Sequence, residues 1–245
     1  MQREKVYIYG KHAVAEAVLH APHVVKKVFI APTFDDAKVI AAINAQKIPT
    51  AVLKGNELGS DAAHQGLVAI IEAESLLMHF ETFLEKLDLS KKPALALLGE
   101  VQDPHNVGAV IRSAAGLGLS GVLIPEHRQA PITGAVVKAS VGMSFRIPLI
   151  AIGNVNQAVR LLKEKGFWIY GLSGEGAQTL AEEKFTEPSV FVIGNEGEGI
   201  REKTQELCDV MLKIPMHSRT ESLNASVSAA IVFYEWSTQH PEALR

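Results

Sequence analysis

At 245 residues, with 47% hydrophobic and 21% charged side chains, the chain has the make-up of one large or two small folded domains, which excludes a disordered tail or a coiled coil. The single cysteine, Cys208, excludes an internal disulfide and a cysteine-based zinc site and points to a reducing compartment, with the cytoplasm as the expected location. The net charge of −3 excludes a uniformly basic nucleic-acid surface, and no stretch reaches the roughly 18 apolar residues of a membrane helix or the h-region of a secretion signal.

In chain order, the first segment alternates strand-like and helix-like pieces. Strands are expected at 6–8, 28–30, 50–53 and 67–71, with helices over 11–19 and 35–46, the rhythm of a small α/β/α unit spanning 1–75. An amphipathic stretch, acidic and then basic, follows and ends at Lys91-Lys92-Pro93, where proline blocks helix continuation, so 76–92 is expected to be a linker. From 93 to 245 a stronger βα rhythm sets in. Strands are expected near 94–98, 121–124, 145–149, 167–171, 189–193 and 209–214, and helices over 106–118, 131–140, 154–165, 200–207 and 223–237. Most of these strands are short apolar or β-branched runs, the pattern of a parallel sheet covered on both faces. Lys and Arg against Asp and Glu number 8 against 8 in residues 1–80, 8 against 6 in 81–160 and 8 against 13 in 161–245. Any nucleic-acid site is therefore a local patch in the first two thirds.

The string Gly116-Leu-Gly118-Leu-Ser-Gly121 matches the dinucleotide fingerprint, but it closes a helix where the fingerprint must open one, so a helix C-cap is the better reading and a nucleotide oxidoreductase the weaker one. No phosphate-binding loop, serine-hydrolase elbow or zinc-peptidase motif is present, and the nine histidines lack metal-ligand spacing, so no metal is expected.

Three loops, each leaving a strand and entering a helix, carry more glycine and polar side chains than a plain connection requires. In an open α/β sheet ligands gather at such carboxyl ends. The first runs from Gly99 through Asn106 to Arg112; Asn106 reads equally as a helix N-cap, and Arg112 falls in a mostly apolar helix where a guanidinium needs a phosphate or carboxylate. The second is Gly194-Asn-Glu196-Gly-Glu-Gly199, where glycine allows close backbone approach. The third runs from Ile214-Pro-Met216 to Ser222-Leu223-Asn224, whose serine and asparagine also read as caps.

Together, Asn106 with Arg112, the Gly194–Glu196 loop and Ile214-Pro-Met216 with Ser222-Leu223-Asn224 resemble, in order and spacing, the three motifs of the TrmH family of SPOUT RNA 2′-O-ribose methyltransferases. The N-terminal Ile8-Tyr-Gly-Lys11-His12 and His64-Gln65-Gly resemble the L30e-like RNA-binding domain of the branch acting on ribosomal RNA guanosine. The resemblance implies a parallel α/β domain ending in a trefoil knot. It also implies S-adenosylmethionine held by Leu172, Gly174, Gly194, Ile214, Met216 and Leu223, and a homodimer packed through the knotted regions. Asn106, Arg112, Glu196, Ser222 and Asn224 would carry catalysis, and Lys11, His12, His64 and Gln65 would bind RNA. The implied substrate is a guanosine of 23S ribosomal RNA; the alternatives are a tRNA ribose and an inactive RNA-binding protein. His217-Ser-Arg219-Thr-Glu221 departs from the small or apolar run that the family places there.

Overall fold

A computed structural model describes residues 5–54 and 64–245. The described residues build two sheets. The first contains β1 (Lys5–Tyr9), β2 (Val25–Ile30), β3 (Thr50–Val52) and β4 (Leu67–Glu72) in the order β1-β4-β2-β3, with only β2 and β3 parallel. Helices α1 (Lys11–His20) and α2 (Ala37–Ala45) supply Val14, Val18 and Ile43 to its core. Asp36 starts α2 by accepting from the Lys38 and Val39 amides, which satisfies two of the donors a helix start leaves unpaired.

The second sheet has eight strands, every pairing parallel. In chain order its elements are β5 (Leu77–His79), α3 (Phe80–Lys86), β6 (Ala94–Gly99), α4 (Pro104–Gly116), β7 (Gly121–Pro125), α5 (Gly134–Ala139), β8 (Leu149–Ile152), α6 (Val155–Glu164), β9 (Trp168–Leu172), β10 (Gln178–Thr179), β11 (Ser189–Gly194), α7 (Glu202–Gln205), β12 (Val210–Lys213) and α8 (Ala225–Gln239). The spatial order is β10-β12-β9-β11-β6-β7-β8-β5.

Alternation in β6 explains why both faces are covered. Leu95 and Leu97 point into a cluster with Phe83, Val159 and Leu162 of α3 and α6, while Ala94, Ala96 and Leu98 meet Val110, Phe233 and Trp236 of α4 and α8. The chain leaves β6 toward β7 and β8 on one side and later fills the other side, so the boundary between β6 and β11 is a topological switch point. Gly99 and Gly194 stand paired at its carboxyl end, where a crevice for ligands is expected.

Three sequence expectations shift. The strand anticipated at 145–149 is β8 at Leu149–Ile152; Phe145 closes a tight turn and sends its ring into the core of the first sheet, so extension begins only after Pro148. The stretch expected as a linker over 76–92 contains β5, which pairs with β8, and α3, which buries Phe80 and Phe83. Asn106 does not cap α4: Asp103 does, accepting from the His105 amide at 2.8 Å, with Pro104 in the first turn. At its other end, Gly118 takes φ +80° and the Leu119 amide reaches back to the Ala114 carbonyl, a Schellman cap that accounts for the glycine string.

Candidate active site

A cavity of about 360 Å³ opens beside the switch point, at the carboxyl ends of β9, β11 and β12, and is lined from the three loops that follow them. Leu172, Gly174, Gly194, Ile214, Met216 and Leu223 all line it, as do Glu196 and Ser222. Sequences far apart meet here because three neighbouring parallel strands end at one edge.

The loop after β11 is shaped by its own backbone. A Cβ on Gly194 would fall 2.4 Å from the Gly199 carbonyl carbon, so only glycine lets this strand end close against the returning loop. Asn195 holds the turn, accepting from the Gly197 amide at 2.9 Å and donating to the Glu100 carbonyl at 2.9 Å, which ties the second loop to the first. Glu196 continues that tie, accepting from the Gln102 amide at 3.3 Å and the Asp103 amide at 3.4 Å. Burial raises the Glu196 pKa, but the donors from Asn106, its own amide, Gln102 and Asp103 together outweigh it and hold the carboxyl below its ordinary value. The loop contacts are therefore fully present above the usual carboxylate range and weaken as pH falls through the depressed value.

A hydrogen-bonded relay joins the three loops. Asn224 caps α8, its Oδ1 accepting from the Ser226 amide at 2.9 Å, so its amide nitrogen must face the other way. That nitrogen donates to Asn106 Oδ1 at 2.9 Å, which leaves Asn106 Nδ2 to donate to Glu196 Oε1 at 2.9 Å. A helix cap thus dictates the orientation of a buried amide 118 residues away in sequence, and that amide orients a carboxylate. Asn224 is a cap and a site residue at once.

Arg112 lies elsewhere. It is exposed, off the face that buries Val107, Val110, Ile111 and Ala114, so it avoids the desolvation expected for it; no described residue accepts a hydrogen bond or ion pair from it, and it does not line the cavity. It stands on the same helix as Ala109 and Ser113, which with Val227, Ala230 and Tyr234 line a shallow apolar groove between α4 and α8. The remaining candidates cluster on the first sheet's unit: the Lys11 amide donates to Gln65 Oε1 at 3.1 Å, and His64 Nδ1 accepts from the Gly66 amide at 3.1 Å. The Lys11 ammonium pairs with Asp36, and His12 is exposed at the start of α1.

Sequence reasoning left out Asn195, although an asparagine directly after a glycine at a strand end is a turn signal. It also left out Gln129, which clamps Val101 through two hydrogen bonds of 2.7 and 2.9 Å from 28 residues away, a pairing without local signature.

Residues 93–234 match the model of the SpoU rRNA methylase family, and residues 7–77 match that of the RNA 2′-O ribose methyltransferase substrate-binding domain. The chain belongs to the SpoU rRNA methylase family. Within it, the 23S rRNA (guanosine-2′-O-)-methyltransferase RlmB of Pectobacterium atrosepticum is 38% identical over 93% of this chain and 96% of its own. That of Escherichia coli K12 is 35% identical over the same shares. The SpoU methyltransferase AviRb of Streptomyces viridochromogenes, solved with AdoMet, shares the fold at a TM-score of 0.82 with 20% identity, covering 97% of this chain and 91% of that one.

Proposed function

We propose that the chain is an S-adenosylmethionine-dependent RNA 2′-O-ribose methyltransferase whose substrate is a guanosine of 23S ribosomal RNA. Family membership and end-to-end similarity to guanosine methyltransferases support the reaction and substrate; the cavity at the carboxyl ends of β9, β11 and β12 supports the cofactor.

The cavity suits that cofactor chemically. Apolar Leu172, Ile214 and Leu223 offer a surface for an adenine ring, and glycine-rich backbone offers hydrogen-bonding groups. The charged residues lining the cavity are Glu196, Glu198 and Glu221, all acidic, which suits a ligand of net positive charge. S-adenosylmethionine supplies an electrophilic sulfonium methyl group, so the protein must align a ribose hydroxyl and manage its proton. Asn106, Glu196 and Asn224 hold the loops around the reacting centre in one geometry, with Ser222 at its rim.

Arg112 reaches that centre in the dimer. A single chain leaves it exposed beside the groove of Val227 and Tyr234, and a second copy seated on that groove would cover the apolar patch and carry Arg112 into the partner's site. There the guanidinium positions the nucleotide phosphate and stabilises the developing alkoxide. Lys11, His12, His64 and Gln65 form the RNA-capture surface, where phosphate would displace Asp36 from Lys11. By the family resemblance the segment after β11 closes a trefoil knot; consistent with this, β12 lies outside β9 while β11 lies inside it. Residues 1–75 form the capture domain and 93–245, with β5 and α3 of the preceding stretch packed on its sheet, the transfer domain; a cytoplasmic site of action follows from a ribosomal substrate. Among the described residues, no helix is long and apolar enough to cross a membrane.

The test is transfer of labelled methyl from S-adenosylmethionine to protein-free ribosomal RNA and to tRNA, followed by nucleoside identification. Label in 2′-O-methylguanosine of 23S RNA is the expected result; label confined to tRNA would replace the substrate, and label in neither from protein that binds the cofactor would favour a binding protein without turnover.

A further inference from the structure

We infer that the RNA strand runs from the capture surface to the transfer site across a saddle made by Tyr9 and Lys138, and that Lys138 is an RNA-binding residue in its own right.

The saddle is where the two sheets are joined. Helix α5 belongs to both bodies: Val136 packs in the core of the large sheet, whereas Val137, with Phe145 just beyond the helix, packs among Ile8, Val14 and Val18 of the small one. The fit is close on both sides. A Cβ on Gly134 would fall 2.3 Å from the Tyr7 carbonyl oxygen, and a Cβ on Gly108 would fall 2.5 Å from the Ala139 side chain. Arg146 adds a two-pronged ion pair to Glu16 of α1. The capture surface and α4 therefore sit at a fixed span, and RNA touching both must cross what lies between them.

What lies between them is an aromatic ring carrying a free cation. Lys138 Nζ stands 5.5 Å over the centre of the Tyr9 ring, and Tyr9 is two residues before Lys11 of the capture surface. Lys138 also neighbours Ala139, which touches Gly108 one helical turn from Arg112. Lys138 is exposed, and no described acid pairs with it, whereas Arg146 on the same segment is neutralised by Glu16. An exposed, unpaired ammonium held over a ring suits single-stranded nucleic acid as a phosphate contact, with the ring fixing where the charge stands. The placement also fits the overall charge, because a chain of net −3 holds RNA along a local track, and Lys138 and Arg112 supply unpaired cations for one that starts at Lys11, whose Asp36 partner phosphate would displace.

The inference rests on the capture role proposed for the first domain, and the experiment separates the two. Affinity of the full-length protein for protein-free ribosomal RNA is measured by filter binding across a salt series for wild type, Lys138→Ala, Lys138→Arg, Lys11→Ala and Arg160→Ala, the last an exposed cation on α6 away from the track. Lys138→Ala is expected to weaken binding about three- to tenfold near 0.1 M salt and to flatten the slope of log affinity against log salt by about 0.7–0.9. Lys138→Arg should restore both; Arg160→Ala, melting temperature and S-adenosylmethionine affinity should be unchanged. Wild-type affinity and slope in Lys138→Ala, with Lys11→Ala weakened, would overturn the saddle alone. Wild-type behaviour in both variants would overturn the saddle and the capture role together, and loss in Lys138→Ala alone would uphold the Lys138 contact against the capture role.

Discussion

Replacing Asn106 by aspartate changes the relay by one atom and one charge. In the native site Asn106 Nδ2 donates to Glu196 Oε1 at 2.9 Å, and Asn224 fixes the amide orientation so that the group cannot flip to escape. In Asn106→Asp an oxygen takes the place of that nitrogen, and two carboxylates face each other at the same separation. Loss of a hydrogen bond to a charged group costs about 1.5–3 kcal/mol. The added repulsion is capped by proton uptake, since one carboxyl of the pair can hold a proton once its pKa is raised by the other's charge. Because Glu196 is partly open to solvent, the combined effect is discounted to about 2–4 kcal/mol at neutral pH. For a chain of this size that lowers the melting temperature by about 5–15 °C. The sign with pH follows from linkage: the raised pKa exists only in the folded state, so the folded variant holds more protons than the unfolded chain. Its deficit therefore grows as pH rises from about 4 through the raised value and is smaller at pH 5 than at pH 8. Asn106→Ala, which adds no charge, should lose about 1–3 kcal/mol with little pH dependence over that range. Thermal unfolding of the three proteins at pH 5 and pH 8 decides the matter. An Asn106→Asp protein that melts with wild type at pH 8, or whose deficit does not vary with pH, would refute the relay.

Arg112→Lys keeps the charge but loses the planar fork, and it should lose most methyl-transfer activity while binding S-adenosylmethionine as wild type does, measured by calorimetry and turnover on one preparation. Glu198→Gln or Glu221→Gln should each weaken S-adenosylmethionine about 1.5- to 5-fold more than its uncharged-sulfur product S-adenosylhomocysteine, an effect that fades in high salt when both affinities are titrated. Gly108→Ala should cost about 1–3 kcal/mol in urea unfolding, because its Cβ would stand 2.5 Å from Ala139 and 2.7 Å from the Val136 carbonyl oxygen. Burial, with Asp209 adding to it, pushes the Cys208 thiol up to about 12, so a thiol reagent at pH 8 should modify the native protein far more slowly than the unfolded chain.

The sequence makes the sheet legible because burial on both faces writes itself as continuous apolar runs, such as Ala94–Leu98, whose boundaries glycine and proline mark. It is less informative where a side chain's burial partner is distant in sequence. Phe145 suggests a strand in its local context yet belongs to the other sheet's core, and Phe80 and Phe83 lie in a stretch whose charge suggests a tether. The cavity-lining residues are legible through glycine and polar residues at strand ends. The relay is not, because whether Asn106 caps its own helix or serves Glu196 depends on Asp103 taking the cap and on the orientation that α8 imposes on Asn224. Arg112 shows the same limit from the other side: apolar neighbours along the helix do not reveal that its own face is exposed.

The central claim is methyl transfer to a ribose hydroxyl with Arg112 at the reacting centre, and the most direct test is a single-turnover reaction on protein-free 23S ribosomal RNA with nucleosides resolved by mass. Wild type should yield 2′-O-methylguanosine, and Arg112→Ala should yield none although it binds S-adenosylmethionine as tightly. A methyl group on a base, or undiminished ribose methylation by Arg112→Ala, would contradict it.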